Sequence, residues 1–131
     1  GHLVFATIHT NGALDVIPRL LNLGVQPYLI GAVLSLVVAQ RLVRRVCIKC
    51  KGSGCALCGK TGYSGRIVVS ETLVVNDIFK AFLDTSYCSS ELRNKAIVSG
   101  FRPFDEDAEF KIVSGITDKS EIARELGFAC Q

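Results

Sequence analysis

Four cysteines in two closely spaced pairs are the residues of this chain best suited to chemistry. Cys47 and Cys50 form one C-x-x-C pair, Cys55 and Cys58 form a second, and a short glycine-rich loop separates the pairs. One such pair lets two thiolates reach one ion from a tight turn, and two pairs complete a tetrahedral shell of four sulfurs. The spacing therefore predicts a structural Zn²⁺ site. The alternative is a reduced or disulfide-forming cluster without metal.

A site with four thiolate ligands leaves no open position for water or substrate, so the predicted zinc is structural and not catalytic. The flanking segments, Gln40–Val46 and Arg66–Leu73, have the composition of β-strands, which places the cysteines at the tip of a β-hairpin. Such a hairpin is too small to bury a core of its own, and metal ligation would fix it. We expect Cys47→Ser to loosen residues 47–66 and to leave the following helices folded.

The composition is that of a folded globular chain. Of the 131 residues, 49% are hydrophobic and 21% charged, which excludes a disordered chain, and the net charge of +3 does not by itself indicate a nucleic-acid partner. No signal peptide is evident, and the most apolar stretch, Tyr28–Ala39, is too short to cross a bilayer. The remaining cysteines, Cys88 and Cys130, are isolated, which fits a reducing cytosol. Because the chain opens at Gly1 without a methionine, we expect a fragment of a larger protein.

The first part of the chain predicts one strand and two helices. Leu3–Ile8 is a short apolar run typical of a buried strand, and polar residues gather where it ends, at the edge where open α/β sheets bind ligands. A helix follows, with apolar residues at helical spacing, a kink expected at Pro18 and an end at Gly24. Pro27 opens a second helix, whose apolar spacing continues to Val38.

From residue 76 onward the pattern is helical throughout. Asn76 is expected to cap one helix, and Ser89 or Ser90 a second that ends at Gly100. A third helix is predicted to begin near Pro103, and Thr117 is expected to cap the last one.

Four stretches, in order, resemble one family. They are a histidine box (residues 1–11), the segment entering a metal-binding loop (39–47), the segment leaving it (54–66) and a helical tail (92–116). The chain is similar in these stretches to the C-terminal part of the secretion ATPases of type II secretion and type IV pilus assembly. The resemblance implies an α/β fold in three segments. Residues 1–46 would form the C-terminal edge of a RecA-like ATPase core, 47–75 a tetracysteine zinc-binding β-hairpin subdomain, and 76–131 an all-helical C-terminal subdomain.

The same resemblance implies the site residues. His9 and His2 belong to the histidine box, which in the family lies near the γ-phosphate of the nucleotide, and they are the predicted catalytic residues. Their spacing of seven puts them on opposite faces of an ideal strand, so both reach one ligand only if one lies beyond its end. Thr10, Asn11 and Arg41 are predicted to lie near the nucleotide. The alternatives are helix capping by Thr10 or Asn11 and a solvated strand face for Arg41.

The resemblance further implies a hexameric cytoplasmic ATPase, peripheral on the inner membrane, that uses ATP and Mg²⁺ to drive type II secretion or type IV pilus assembly. It would contact an inner-membrane platform protein. The cysteine element favours export or assembly over pilus retraction. No phosphate-binding G-x-x-x-x-G-K-[ST] pattern occurs in the 131 residues, so we expect the isolated chain to be inactive. The alternative function is a zinc-stabilised interaction or nucleic-acid-binding module. No nucleic acid is expected, because the basic residues are not interleaved with aromatic ones.

Overall fold

The computed structural model describes residues 2–127, and for Thr85 and Ser86 the backbone alone. It combines helices with one antiparallel sheet of two strands, β1 and β2. In chain order the elements are α1 (Val16–Asn22), α2 (Pro27–Val33), β1 (Leu36–Val46), a 3₁₀ turn (Ala56–Cys58), β2 (Tyr63–Val74), α3 (Asp77–Ser86), α4 (Leu92–Val98), α5 (Phe104–Val113) and α6 (Lys119–Leu126). Within residues 2–127, no helix is long and apolar enough to cross a bilayer.

The chain divides into two compact units, each built from two separate stretches. The first unit is residues 1–39 with 72–101, and the second is 40–71 with 102–131. These units do not coincide with the three predicted segments, since each unit joins an early stretch of the chain to a late one. The assignment of residues 1–46, 47–75 and 76–131 to three subdomains therefore stays a prediction.

The first unit packs helices α1 to α4 around an apolar core. Ile17, Ile30 and Phe79 are fully buried in that core. Helices α2 and α3 pack against each other, and a Cβ at Gly31 of α2 would be in ordinary van der Waals contact, 3.7 Å from the Cα of Lys80 of α3. The start of α3 is fixed by Asn76, whose side-chain oxygen accepts from the N–H of Phe79 at 3.1 Å, as predicted.

The second unit packs the part of the β-hairpin within residues 40–71, which includes the cysteine loop, with α5 and α6. Its buried apolar residues include Val43, Val69, Phe104, Ala108 and Ile122. Helix α5 is tied to β2 by Asp107, whose carboxylate accepts from the N–H of Ser70 at 2.7 Å and pairs with Lys111 one turn later. The pairing of β1 with β2 confirms the predicted hairpin, and both strands are longer than the segments predicted from the sequence.

The predicted strand Leu3–Ile8 is wrong. Residues 2–10 are irregular, and Leu3, Val4 and Phe5 are 76–90% exposed. A strand needs a neighbour for its N–H and C=O groups, and within residues 2–127 the two strands of the sheet pair with each other. The apolar residues follow a pattern that is typical of a strand, but such a pattern does not specify a neighbouring strand with which to pair.

Several predicted helix boundaries also differ. Helix α1 begins after Asp15 and not at Thr10 or Asn11, and Thr10 donates to the carbonyl of Gly12 at 3.0 Å. Pro18 lies in the first turn of α1, where a missing N–H costs no helical hydrogen bond. Helix α2 ends at Val33, because the alternating run that follows pairs as β1.

Two predicted caps in the second half of the chain are wrong as well. Glu91, and not Ser89 or Ser90, precedes α4. Asp118 and not Thr117 caps α6, where its carboxylate accepts from the N–H of Glu121 at 2.9 Å. Both threonine and aspartate are favourable N-cap residues, and here the cap is Asp118, one residue after Thr117.

Candidate metal centre

The four cysteines converge at the tip of the hairpin. Their sulfur atoms all lie within 4.8 Å of one another. The pairs Cys47–Cys55, Cys50–Cys58 and Cys55–Cys58 have sulfur separations of 3.9, 3.8 and 3.7 Å. A tetrahedral zinc with Zn–S bonds of about 2.3 Å requires sulfur atoms about 3.8 Å apart. The geometry of these side chains therefore fits a tetrathiolate zinc centre.

Each pair is folded in the same way, around N–H···S hydrogen bonds. The sulfur of Cys47 accepts from the backbone N–H groups of Lys49 and Cys50, and the sulfur of Cys55 accepts from those of Leu57 and Cys58. The N–H of Cys55 in turn donates to the sulfur of Cys58 at 3.2 Å. Such donors stabilise negative charge on sulfur, which is the form that binds metal.

The thiols respond unequally to this environment. The backbone N–H of Cys55, helped by that of Gly62, lowers the pKa of Cys58 to about 6, and the backbone N–H of Cys50 lowers the pKa of Cys47. For Cys55, the N–H of Cys58 acts in the same direction, but burial and the neighbouring Cys58 and Cys50 sulfurs raise the pKa to about 11. A cation among the sulfurs would remove this penalty, because it stabilises all four thiolates together.

Close backbone approaches hold the two pairs together. A Cβ at position 62 would lie 2.5 Å from the carbonyl oxygen of Gly52, and one at position 54 would lie 2.8 Å from that of Lys60. Gly62 and Gly54 also have φ of +82° and +86°. Glycine is thus required at both positions for space as well as conformation. Gly52 and Gly59, on either side of Gly54, also have positive φ, of +93° and +59°, so the cysteine turns use the conformational freedom of glycine at these positions as well.

A charged network lies where β1 enters the metal loop. The carboxylate of Glu121 is fully buried and binds the guanidinium groups of Arg44 and Arg124. The Arg44 guanidinium also lies 4.1 Å from the centroid of the Tyr63 ring. The sequence analysis did not identify Glu121. Arg44 and Glu121 are 77 residues apart, and no local pattern joins them.

The other predicted site residues lie outside this cluster. His2 and His9 are exposed in the irregular segment before α1, so the strand edge expected to position His9 is not formed. Thr10 and Arg41 are half-buried, Asn11 is exposed, and Arg41 lies on β1. Cys88 is an exposed free thiol, and Cys130 lies outside the described residues. The roles predicted for the histidines, Thr10, Asn11 and Arg41 stay predictions.

Comparison with known proteins places the chain in a family. The model of the family described as "Type II/IV secretion system protein" matches residues 1–124. The chain belongs to this family. The resemblance predicted from the histidine box, the cysteine loop and the helical tail is thereby confirmed.

The relatives that match include proteins of type II secretion and of type IV pilus assembly. The chain is 40% identical over 132 residues to the type II secretion system protein HxcR of Pseudomonas aeruginosa, covering 95% of this chain and 28% of the relative. It is 37% identical over 149 residues to the type IV pilus assembly ATPase PilB of Thermus thermophilus, covering 93% and 17%. It is 32% identical over 149 residues to the type II secretion system ATPase E of Vibrio cholerae, covering 95% and 29%. The chain thus spans less than a third of the length of these relatives.

Proposed function

We propose that this chain is part of a hexameric ATPase that couples hydrolysis of ATP, bound with Mg²⁺, to type II protein secretion or type IV pilus assembly. The observation that carries the proposal is the similarity itself. It extends over 93–95% of the chain to relatives named as ATPases of both systems. Because relatives of both kinds match at comparable identity, the proposal covers both branches.

Within the longer protein, residues 1–46 would complete the C-terminal edge of a RecA-like core. The exposure of Leu3, Val4 and Phe5 supports this step, because contiguous apolar side chains in water usually mark a surface that another part of an assembly covers. His9 and His2 would then lie near the γ-phosphate, with Thr10, Asn11 and Arg41 close to the nucleotide.

The tetracysteine hairpin would be a zinc-stabilised knob that contacts the inner-membrane platform protein or a neighbouring subunit. Zinc, if bound by the four sulfurs, supplies a cross-link between the two halves of the loop. Ile48 and Leu57, which lie inside the two C-x-x-C pairs, are 75% and 65% exposed, and this exposure supports a docking role. We propose a cytoplasmic location, peripheral on the inner membrane, and no nucleic-acid partner.

The test is ATP hydrolysis by the longer protein that contains this chain. We expect Mg²⁺-dependent turnover that His9→Ala lowers at least tenfold while nucleotide binding is retained, with His2→Ala as the comparison variant. Loss of turnover is expected because the variant removes a group beside the reacting phosphate. Unchanged turnover in His9→Ala would assign the residue to packing.

The chain by itself is expected to hydrolyse no ATP, since it contains no phosphate-binding loop pattern. Turnover by the chain alone would show that this reasoning is wrong. If the longer protein also lacks turnover and the chain binds single-stranded nucleic acid with steep salt dependence, the alternative zinc-stabilised binding module is correct.

A further inference from the structure

The end of β1 that leads into the metal loop is hydrogen-bonded to residues 116–121. The N–H of Val46 donates to the carbonyl of Ile116 at 2.8 Å. The hydroxyl of Thr117 donates to the carbonyl of Arg44 at 2.9 Å. These bonds fix the backbone just before the first metal ligand, Cys47.

Glu121 extends this contact to a side chain. Its Oε1 accepts from the backbone N–H of Arg44 at 2.8 Å, and its Oε2 accepts from Nε and Nη2 of the same arginine at 2.9 and 2.7 Å. Arg124 donates to both oxygens at 2.7 and 2.8 Å. With five donors, the buried carboxylate is fully satisfied and can hold Arg44 in one conformation.

The other strand of the hairpin is held by the start of the same helix. The hydroxyl of Tyr63, the first residue of β2 after the loop, donates to the carboxylate of Asp118 at 2.6 Å. Asp118 is the N-cap of α6. The strands on both sides of the four cysteines are therefore anchored to the first turn of α6.

We propose that Glu121 is a positioning residue for the metal centre, and that metal binding and the docking of α6 stabilise each other through Arg44. The proposal rests on the tetrathiolate centre proposed above. A loop whose ends are already fixed loses less conformational entropy when it closes on a metal, so its affinity is higher. By thermodynamic linkage, bound metal must favour the docked helix by the same factor. The expectation that loss of metal leaves all later helices folded is revised accordingly: α6 responds, and α3 does not.

The first test compares two variants by competition for zinc against a chromophoric chelator. Glu121→Gln is expected to lower zinc affinity about tenfold, the lower end of the effect of losing an outer-shell partner. Asp107→Asn is the matched control, because Asp107 also ties a helix of this unit to the hairpin, but at Ser70 and away from the cysteines. Its zinc affinity is expected to stay within about twofold. Equal losses in both variants, or no loss in Glu121→Gln, would overturn the proposal.

Tyr63→Phe keeps the test decisive if Glu121→Gln does not fold. This variant retains the ring beside Arg44 and removes the hydroxyl that contacts Asp118 and Ser120 at the start of α6, so a loss of a few fold in zinc affinity is expected. Unchanged zinc affinity in Tyr63→Phe would contradict the coupling.

The reciprocal effect is measured by amide hydrogen exchange. Removal of zinc is expected to accelerate exchange in residues 119–126 and to leave α3, in the first unit, unchanged. Unaltered exchange in 119–126 would overturn the coupling while the metal centre stands. Absence of zinc binding by the unmodified protein would overturn both the metal centre and its coupling to α6. Neither measurement depends on ATP hydrolysis, so the test is independent of the proposed ATPase function.

Discussion

Replacement of Gly62 by alanine should separate the two halves of the metal loop. The added Cβ would lie 2.5 Å from the carbonyl oxygen of Gly52, whereas carbon–oxygen contacts in proteins stay at about 3.3 Å or more. The backbone must therefore move by about 0.8 Å. Metal–ligand distances tolerate only about 0.2 Å, so a shift of this size between the cysteine pairs breaks the coordination geometry. The N–H of Gly62 also donates to the sulfur of Cys58, and the shift weakens that bond.

Gly65→Ala is the matched control for this substitution. Gly65 has φ of +77°, close to the +82° of Gly62, but a Cβ there meets open space. Both variants therefore carry the same backbone strain of about 1–2 kcal/mol, and only Gly62→Ala adds the collision.

The assay is zinc affinity by chelator competition, with thermal unfolding of the zinc-loaded protein beside it. We expect Gly62→Ala to lose at least tenfold in affinity and Gly65→Ala to lose stability but little affinity. If Gly62→Ala binds zinc as tightly as Gly65→Ala does, the close approach does not shape the site and the reasoning is wrong.

Three further predictions concern the two units. The guanidinium groups of Arg124 and Arg44 lower the pKa of Glu121 from about 4.5 to about 2, so its contribution is complete above about pH 5 and is lost as the pH falls towards 2. That contribution is on the order of 3 kcal/mol. The difference in unfolding free energy between the unmodified protein and Glu121→Gln should therefore shrink over this range, and a constant difference would contradict the pairing. Asn76→Ala should destabilise the protein by about 1–2 kcal/mol in urea unfolding, because it removes the cap of α3 and a bond to the carbonyl of Ser99. Asp77→Asn, which keeps the cap and alters an exposed carboxylate in the first turn of α3 that pairs with Lys80, should cost less than about 1 kcal/mol, and equal costs would refute the capping role. Cys50→Ser should reduce bound zinc below one ion per chain in elemental analysis, whereas Cys88→Ser, at the exposed thiol, should not; equal zinc contents would exclude Cys50 as a ligand.

Local signals in the sequence predicted local structure well. Asn76 followed by an apolar helical pattern identified the start of α3, and Pro27 identified the start of α2, because caps and proline act within one turn. The spacing of the cysteines was sufficient to predict the cluster for a similar reason. Each C-x-x-C pair is a self-contained turn with its own N–H···S bonds.

The features that were missed depend on distant partners. Val37 fits both a helical and an alternating pattern, and pairing with β2 decides in favour of the strand. Glu121 is one of several charged residues in α6, and only the fold brings Arg44 against it. The exposed Leu3–Ile8 run shows the same limit, since apolar composition does not specify what pairs with a segment.

X-ray absorption at the zinc edge tests the central claim, that the four cysteines form one closed metal centre, most directly. Protein loaded with one zinc per chain should show a first shell of four sulfur atoms at about 2.3 Å and no nitrogen or oxygen ligand. A shell with fewer sulfurs and an oxygen or nitrogen ligand, or a purified protein whose cysteine pairs are oxidised and hold no zinc, would contradict the tetrathiolate centre.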